Sequence, residues 1–267
     1  MRSAPRAAIT GSEGTLNHVR CGSGDPLLLL HSLGGAIGQW SPVVSALAAR
    51  RDVIAVDMPG FGASPALPAG IDATPQSLAT AVLDFVDLLG LDADPGVAGI
   101  SLGGWVAIEC GRQGGASSVV SLCPAGFWRE PVAPRRSLAY AAARASRPLL
   151  PLMRFRWMRR IALSGNVHHP ERIPPAEAAD MVRAYGGGPA YPEANRHMRE
   201  GTVGDLEELD VPVTLGWAEF DQIVRRKPLK PGILPDSVRQ VELPGCGHVP
   251  TWDDPELVAR VILEGTS

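Results

Sequence analysis

The sequence predicts an α/β fold: a mostly parallel central sheet flanked by helices, broken near its middle by a helical insertion. Three observations carry this reading. Short, uninterrupted apolar runs recur along the chain, as strands buried on both faces require. Segments with apolar residues at helical spacing alternate with them, the rhythm of right-handed βαβ units. That rhythm stops at Pro124 and resumes only near residue 206.

The elements follow in order. Pro26-Leu-Leu-Leu-Leu30 is a strand ending at His31, Ser32 and the Gly34-Gly35 pair. Residues 38–50 have helical spacing, and Val53-Ile-Ala-Val56 is the next strand, ending at Asp57-Met-Pro-Gly-Phe-Gly62. Thr74-Pro75 opens a helix, because Thr caps and Pro suits the first helical position. Leu78, Val82, Phe85, Val86 and Leu89 form its apolar stripe, and Gly90 marks its end. Val97-Ala-Gly-Ile100 is a strand, residues 102–112 a helix, and residues 119–123 a strand. Strands resume at Val211-Pro-Val-Thr-Leu-Gly-Trp217 and Val238-Arg-Gln-Val-Glu-Leu243, and Pro255 opens a last helix.

Composition excludes several classes. The chain has 267 residues, 45% hydrophobic and 20% charged, with net charge −3. That is enough for a sizeable core, and it argues against a disordered chain, a fibre or a whole-chain nucleic-acid binder. No run of about 18 apolar residues exists for a spanning helix. The first residues lack a secretory h-region, so a cytoplasmic location is expected. Cys21, Cys110, Cys123 and Cys246 are scattered and read as free thiols rather than a disulfide or zinc framework.

Gly99-Ile100-Ser101-Leu102-Gly103 fits G-x-S-x-G at a junction of strand and helix. Such a turn thrusts a serine hydroxyl out of the backbone, and the flanking glycines avoid collisions with the adjoining strand and helix. With this motif stand His31-Ser-Leu-Gly-Gly35, Asp57-Met-Pro-Gly-Phe-Gly-Ala-Ser64, Gly216-Trp-Ala-Glu-Phe-Asp221 and Gly245-Cys-Gly-His248. In order and spacing the set resembles the α/β-hydrolase superfamily, over nearly the whole chain.

The resemblance implies the α/β-hydrolase fold, with a helical cap inserted after the sixth strand. Residues 1–123 and 206–267 then form the core domain and 124–205 the cap. It implies a serine hydrolase of the carboxylesterase type, with Ser101 as nucleophile, His248 as base and Asp221 as the acid that orients it. Glu219 and Asp57 are the rival acids. The backbone N–H groups of Leu33 and Leu102 are the expected oxyanion hole. His31 resembles the family's histidine that orders the oxyanion loop, and His168-His169 lack the company a metal site needs. Where the family commonly has His-Gly, this chain has His31-Ser32, which asks for ordinary backbone angles and offers a hydroxyl to a ligand. No metal or organic cofactor is implied. Serine at the elbow sets the chain apart from the dehalogenases and epoxide hydrolases of this fold, which use aspartate there.

The substrate is expected to be a small acyl compound, with no nucleic-acid partner; monomer and homodimer both stay open. Ser32, Trp40, Phe127, Trp128 and Trp157 are candidates for its pocket, whereas Trp105 reads as packing. Within the fold, a thioesterase, a carbon–carbon bond hydrolase, a lactonase and a cofactor-free perhydrolase are alternatives, and a non-catalytic binding protein is the alternative from another class. Residues 129–160 hold nine arginines and one acid, a local charge of +8 that leaves −11 on the rest. Three readings compete: solvated arginines on a packed cap helix, attraction of an anionic or carrier-linked substrate, and contact with an anionic membrane surface.

Overall fold

The computed structural model describes residues 15–128, 130–132, 138–207, 209–224 and 234–267. The N-terminal residues 1–14 and Arg129, Arg135 and Arg136, which enter the expectations above, lie outside the described residues.

Seven strands form one sheet: β1 (His18–Gly22), β2 (Pro26–Leu30), β3 (Asp52–Val56), β4 (Gly96–Ile100), β5 (Ser118–Leu122), β6 (Val213–Ala218) and β7 (Arg239–Leu243). Their spatial order is β1-β3-β2-β4-β5-β6-β7. Every neighbouring pair is parallel except β1 with β3. β4 and β5 are buried along their whole length, as their runs of Val, Ala, Ile and Leu predict. Sequence reading misses β1, a half-buried edge strand whose pattern is too short to register.

Helices α1 (Ser41–Ala48) and α8 (Pro255–Gly265) cover one face, and α2 (Pro75–Leu89) and α3 (Leu102–Arg112) the other. The bounds of α2 obey the sequence signals. Thr74 makes a capping box with Ser77, Pro75 begins the helix, and Gly90 ends it in the left-handed region at φ +59°. The helix expected over residues 38–50 is divided: Ile37–Trp40 is a 3₁₀ turn, and α1 begins at Ser41.

Between β5 and β6 lie four helices: α4 (Leu138–Ala145), α5 (Arg156–Leu163), α6 (Pro175–Tyr185) and α7 (Tyr191–Glu200). The described chain therefore inserts its helices after the fifth strand and not the sixth. Cys123 has left the strand expected to contain it and turns to φ +47°. No helix among the described residues is long and apolar enough to cross a membrane.

This topology decides where polar chemistry can gather. His31, Asp57, Ser101, Cys123, Asp221 and His248 each follow the carboxyl end of a strand, from β2 to β7 in turn. In an open parallel sheet that edge is where ligands bind.

Candidate active site

Ser101 joins β4 to α3 with φ +56° and ψ −113°, a conformation that a non-glycine residue adopts only under strain of about 1–3 kcal/mol. The surroundings hold it there. Its N–H donates to Leu122 O at 2.9 Å, and its carbonyl accepts from Trp105 N–H at 3.0 Å and Ala125 N–H at 3.2 Å. The glycines around it are required by space: a Cβ on Gly99 would stand 2.1 Å from Gly103 O, and one on Gly103 2.4 Å from His31 O.

His248 is 3% exposed, in the loop between β7 and α8. Its Nδ1 lies 2.8 Å from Asp221 Oδ2. The other carboxylate oxygen, Oδ1, accepts from Ile223 N–H at 2.8 Å and Val224 N–H at 2.9 Å. A carboxylate can only accept, so Nδ1 carries the proton and Nε2 is left as the basic atom. The rival acids are engaged elsewhere. Glu219 accepts from Gly245 N–H at 2.9 Å. Asp57 ties three segments together, accepting from Ile37 N–H, Asn17 Nδ2 and Ala63 N–H at 2.7–2.9 Å.

Ser32, Leu33 and Gly34 lie with Ser101 and His248 on one cavity of about 770 Å³. Residues 32–35 make a tight turn closed by Gly35 N–H to Ser32 O at 2.8 Å, with the positive φ, +72°, at Gly34. The departure to Ser32 therefore costs no backbone strain. Leu102 is the first residue of α3, so its N–H is one of that helix's unpaired donors. Among the described residues neither it nor the Leu33 N–H has a protein acceptor.

His31 is fully buried and its ring is committed on both sides. Nδ1 stands 2.8 Å from Ser32 O and Nε2 accepts from Met58 N–H at 3.0 Å, so a neutral ring satisfies both neighbours. Burial, opposed by the Asp57 charge, holds its pKa below the usual histidine value. It orders the turn and is not available as a base.

His168 stacks on Phe220 with ring centres 3.8 Å apart. The backbone N–H groups of His168 and His169, and that of Gly247, all donate to the Asp253 carboxylate at 2.8–2.9 Å. One carboxylate thus fastens the inserted segment to the His248 loop. Cys123 Sγ lies within 4.8 Å of an Asp221 oxygen and a His248 nitrogen, a set whose donors resemble metal ligands. Burial first, then the Asp221 charge, pushes this thiol well above its ordinary pKa. The imidazole and carboxylate of that set are already paired with each other, which leaves them poorly placed to serve as metal ligands. Burial also pushes the Cys246 thiol up to about 12.

Of the expected pocket residues, the cavity takes Ser32 and none of the four aromatics. Trp40 is fully buried in the core beside α1 and α8. Phe127 is buried edge-on to Trp217. Trp128 donates its indole N–H to Gly201 O at 2.7 Å. Trp157 is exposed and stacks on Phe155. Their places are taken by residues that sequence reading missed. Met153, Met158, Met181 and Met198 line the cavity, four of the six methionines in the chain, with Tyr185 and Tyr191. Thioether walls are deformable, which suits apolar groups of varied shape.

The family model for the alpha/beta hydrolase family matches residues 27–261. The chain belongs to this family. Hydrolysis is the activity that membership supports. A relative from Azorhizobium caulinodans named RutD is 36% identical over 102 residues, and the match spans 37% of this chain and 36% of that protein. Haloalkane dehalogenase 2 of Mycobacterium tuberculosis is 27% identical over 267 residues, covering 95% of this chain and 92% of that one. The solved structure of a thermophilic esterase from Thermogutta terrifontis shares the fold at TM-score 0.71 and 22% identity, covering 98% of this chain and 97% of that one.

Proposed function

We propose that this hydrolase is a serine esterase, cleaving a carboxylic ester or related acyl bond through an acyl-enzyme. The observation that carries the reading is the 2.8 Å contact of His248 Nδ1 with Asp221 Oδ2, beside a cavity that Ser101 also lines. Ser101 Oγ attacks the acyl carbon as His248 Nε2 takes its proton. The leaving alcohol departs with that proton. Water, deprotonated by the same nitrogen, then attacks the acyl-enzyme and frees Ser101. Asp221 fixes the tautomer and stabilises the imidazolium. Leu33 and Leu102 N–H groups receive the negative charge that develops on the acyl oxygen.

The related dehalogenase does not decide the chemistry, because Ser101 stands where the enzymes of that activity use aspartate. Residues 124–205 act as a cap that shapes the acyl pocket over the core. The substrate is a small acyl compound with an apolar portion, and the exposed arginines of the cap favour one that carries negative charge.

A fluorophosphonate probe, followed by peptide mass spectrometry, tests the nucleophile. Label on Ser101, lost in Ser101→Ala, is the expected result. A folded wild type that takes no label overturns the acyl-enzyme reading and favours a binding protein. A panel of oxygen esters, thioesters, lactones, vinylogous diketones and peroxide-dependent halogenation then separates the bond types.

A further inference from the structure

Gln39 lines the same cavity, is 8% exposed, and lays its side chain across the Ser32 turn. Its orientation follows from elementary chemistry. The Ser32 backbone N–H, 2.9 Å away, can only donate, so the atom facing it is the amide oxygen Oε1. The amide nitrogen Nε2 is then the atom 2.8 Å from Ser32 Oγ, and an amide NH₂ can only donate. Ser32 Oγ is therefore an acceptor toward Gln39, and its own proton points elsewhere. No protein group accepts that proton among the described residues. Ser32 itself is 5% exposed and borders the cavity shared by Ser101 and His248.

A buried hydroxyl proton without a partner is costly unless something in the cavity takes it. Gly35 is what admits this arrangement, since a Cβ there would stand 2.5 Å from Gln39 Oε1. The oxygen atoms that enter this cavity during acyl transfer are those of the substrate and of the water that follows it, and of these the acyl oxygen is the one that gains and keeps a full negative charge in the tetrahedral intermediate. The one that gains charge does so beside the turn bearing Ser32 and Leu33.

We infer that Ser32 Oγ–H is a third donor to the acyl oxygen, alongside the Leu33 and Leu102 N–H groups, and that Gln39 is the positioning residue that aims it. The inference rests on the acyl-enzyme reading. No bond is made or broken by Ser32. Its hydrogen bond strengthens as the carbonyl becomes an oxyanion, and weakens again when the acyl-enzyme carbonyl re-forms. A donor of this kind acts on kcat rather than on KM.

The test measures kcat and KM on one ester in wild type, Ser32→Ala, Ser32→Thr, Ser32→Gly and Gln39→Glu, with thermal melts to verify folding. Ser32→Ala should lower kcat by about 10- to 100-fold with KM within about two-fold, up to the low end of the roughly 100- to 1,000-fold that losing one oxyanion donor costs, because two backbone donors remain. Ser32→Thr, which keeps the hydroxyl, should recover most of the loss. Ser32→Gly repeats the deletion in case alanine disturbs the turn. Gln39→Glu is the decisive variant. A carboxylate there accepts from the Ser32 N–H as before, but also accepts the hydroxyl proton and draws it away from the cavity. It should lose kcat as Ser32→Ala does, although the hydroxyl remains.

Wild-type kcat in both Ser32→Ala and Ser32→Gly overturns the inference. So does a loss confined to KM, which would make Ser32 a ground-state contact, or full kcat in Gln39→Glu. Failure of the underlying reading looks different: the wild type itself would show no turnover that depends on Ser101.

Discussion

The sheet edge and the inserted helices build one cavity from opposite materials. From the sheet edge come Ser101, whose backbone makes three hydrogen bonds, His248, held by Asp221, and the Ser32–Gly34 turn, closed by Gly35 N–H to Ser32 O. From the inserted segment come methionines, tyrosines and small residues. Burial differs as sharply. Of the nine large apolar side chains exposed among the described residues, five lie between 138 and 161: Leu138, Leu149, Phe155, Trp157 and Ile161. Helix α4 buries none of its residues. On the proposed acyl-enzyme reading, the contrast gives chemistry and selectivity separate structural owners: the hydrogen-bonded edge would hold the reacting groups, and the thioether wall would choose what reaches them.

The largest expected break in that comparison is chemical. His248→Ala should lower kcat by about 10⁴-fold or more, and Asp221→Asn by about 10⁴-fold, because the wrong tautomer removes the base without moving it. Substitutions of the methionine wall, such as Met158→Ala, should change kcat/KM among acyl chains by about 10-fold and leave the rate of Ser101 labelling nearly intact. Steady-state kinetics on an ester series checks both. A wall variant as dead as His248→Ala would merge the two regions into one functional unit.

Stability should divide the same way. Trp40→Ala empties a fully buried site and should cost about 3–5 kcal/mol, whereas the half-exposed Trp157→Ala should change stability by about 0.5 kcal/mol or less. Within the inserted segment Arg159 behaves unlike its exposed neighbours Arg156 and Arg160. It is buried, with Nη1 on Met153 O at 2.6 Å and Nη2 on Glu171 O at 2.9 Å. Arg159→Gln should cost about 2 kcal/mol, because three carbonyls, those of Met153, Arg154 and Glu171, lose a charged donor. Denaturant melts measure all three, and equal costs for the two tryptophans would erase the distinction.

How much of this was legible in the sequence follows the same division. The ends of α2 and the elbow at Ser101 could be read because Thr74, Pro75, Gly90, Gly99 and Gly103 each answer a local constraint. The pairing of Asp221 with His248 was anticipated through the order of the family motifs. The aromatic pocket was not, because Trp40, Phe127, Trp128 and Trp157 are placed by the path of the chain and not by their neighbours in sequence. Gln39 was missed for a like reason: its partner is a turn seven residues back, and nothing in Ile37-Gly-Gln-Trp40 announces it. Among the arginines, composition alone made Arg159 equal to Arg154, and burial separates them.

The rigid edge should also register pH. His31 is neutral when folded, with Met58 N–H aimed at Nε2, and burial keeps its pKa below 6.5. As pH falls below that value the unfolded chain takes up the proton before the folded one does. This contribution to stability is therefore complete above about pH 6.5 and declines as pH drops toward the lower folded pKa. Melting temperature should fall on that acid limb, and His31→Gln should flatten it. Parallel limbs in the two proteins would show that another group is responsible.

The smallest effect should come from exposed charge on the inserted segment. Arg154 and Arg156 are exposed, and Arg154 lies over the Phe155 ring at 4.6 Å, so neither is committed to packing as Arg159 is. In sequence they lie between Met153 and Met158, which line the cavity. Two exposed charges raise the local concentration of an anionic substrate but touch nothing that reacts. Arg154→Gln with Arg156→Gln should lower kcat/KM about 2- to 5-fold for an ester bearing a carboxylate, and leave a neutral ester unchanged. The difference should disappear near 1 M salt, where the Debye length shrinks to about 3 Å. If both esters respond alike, the arginines are a solvated surface, and the inserted segment selects its substrates by shape alone.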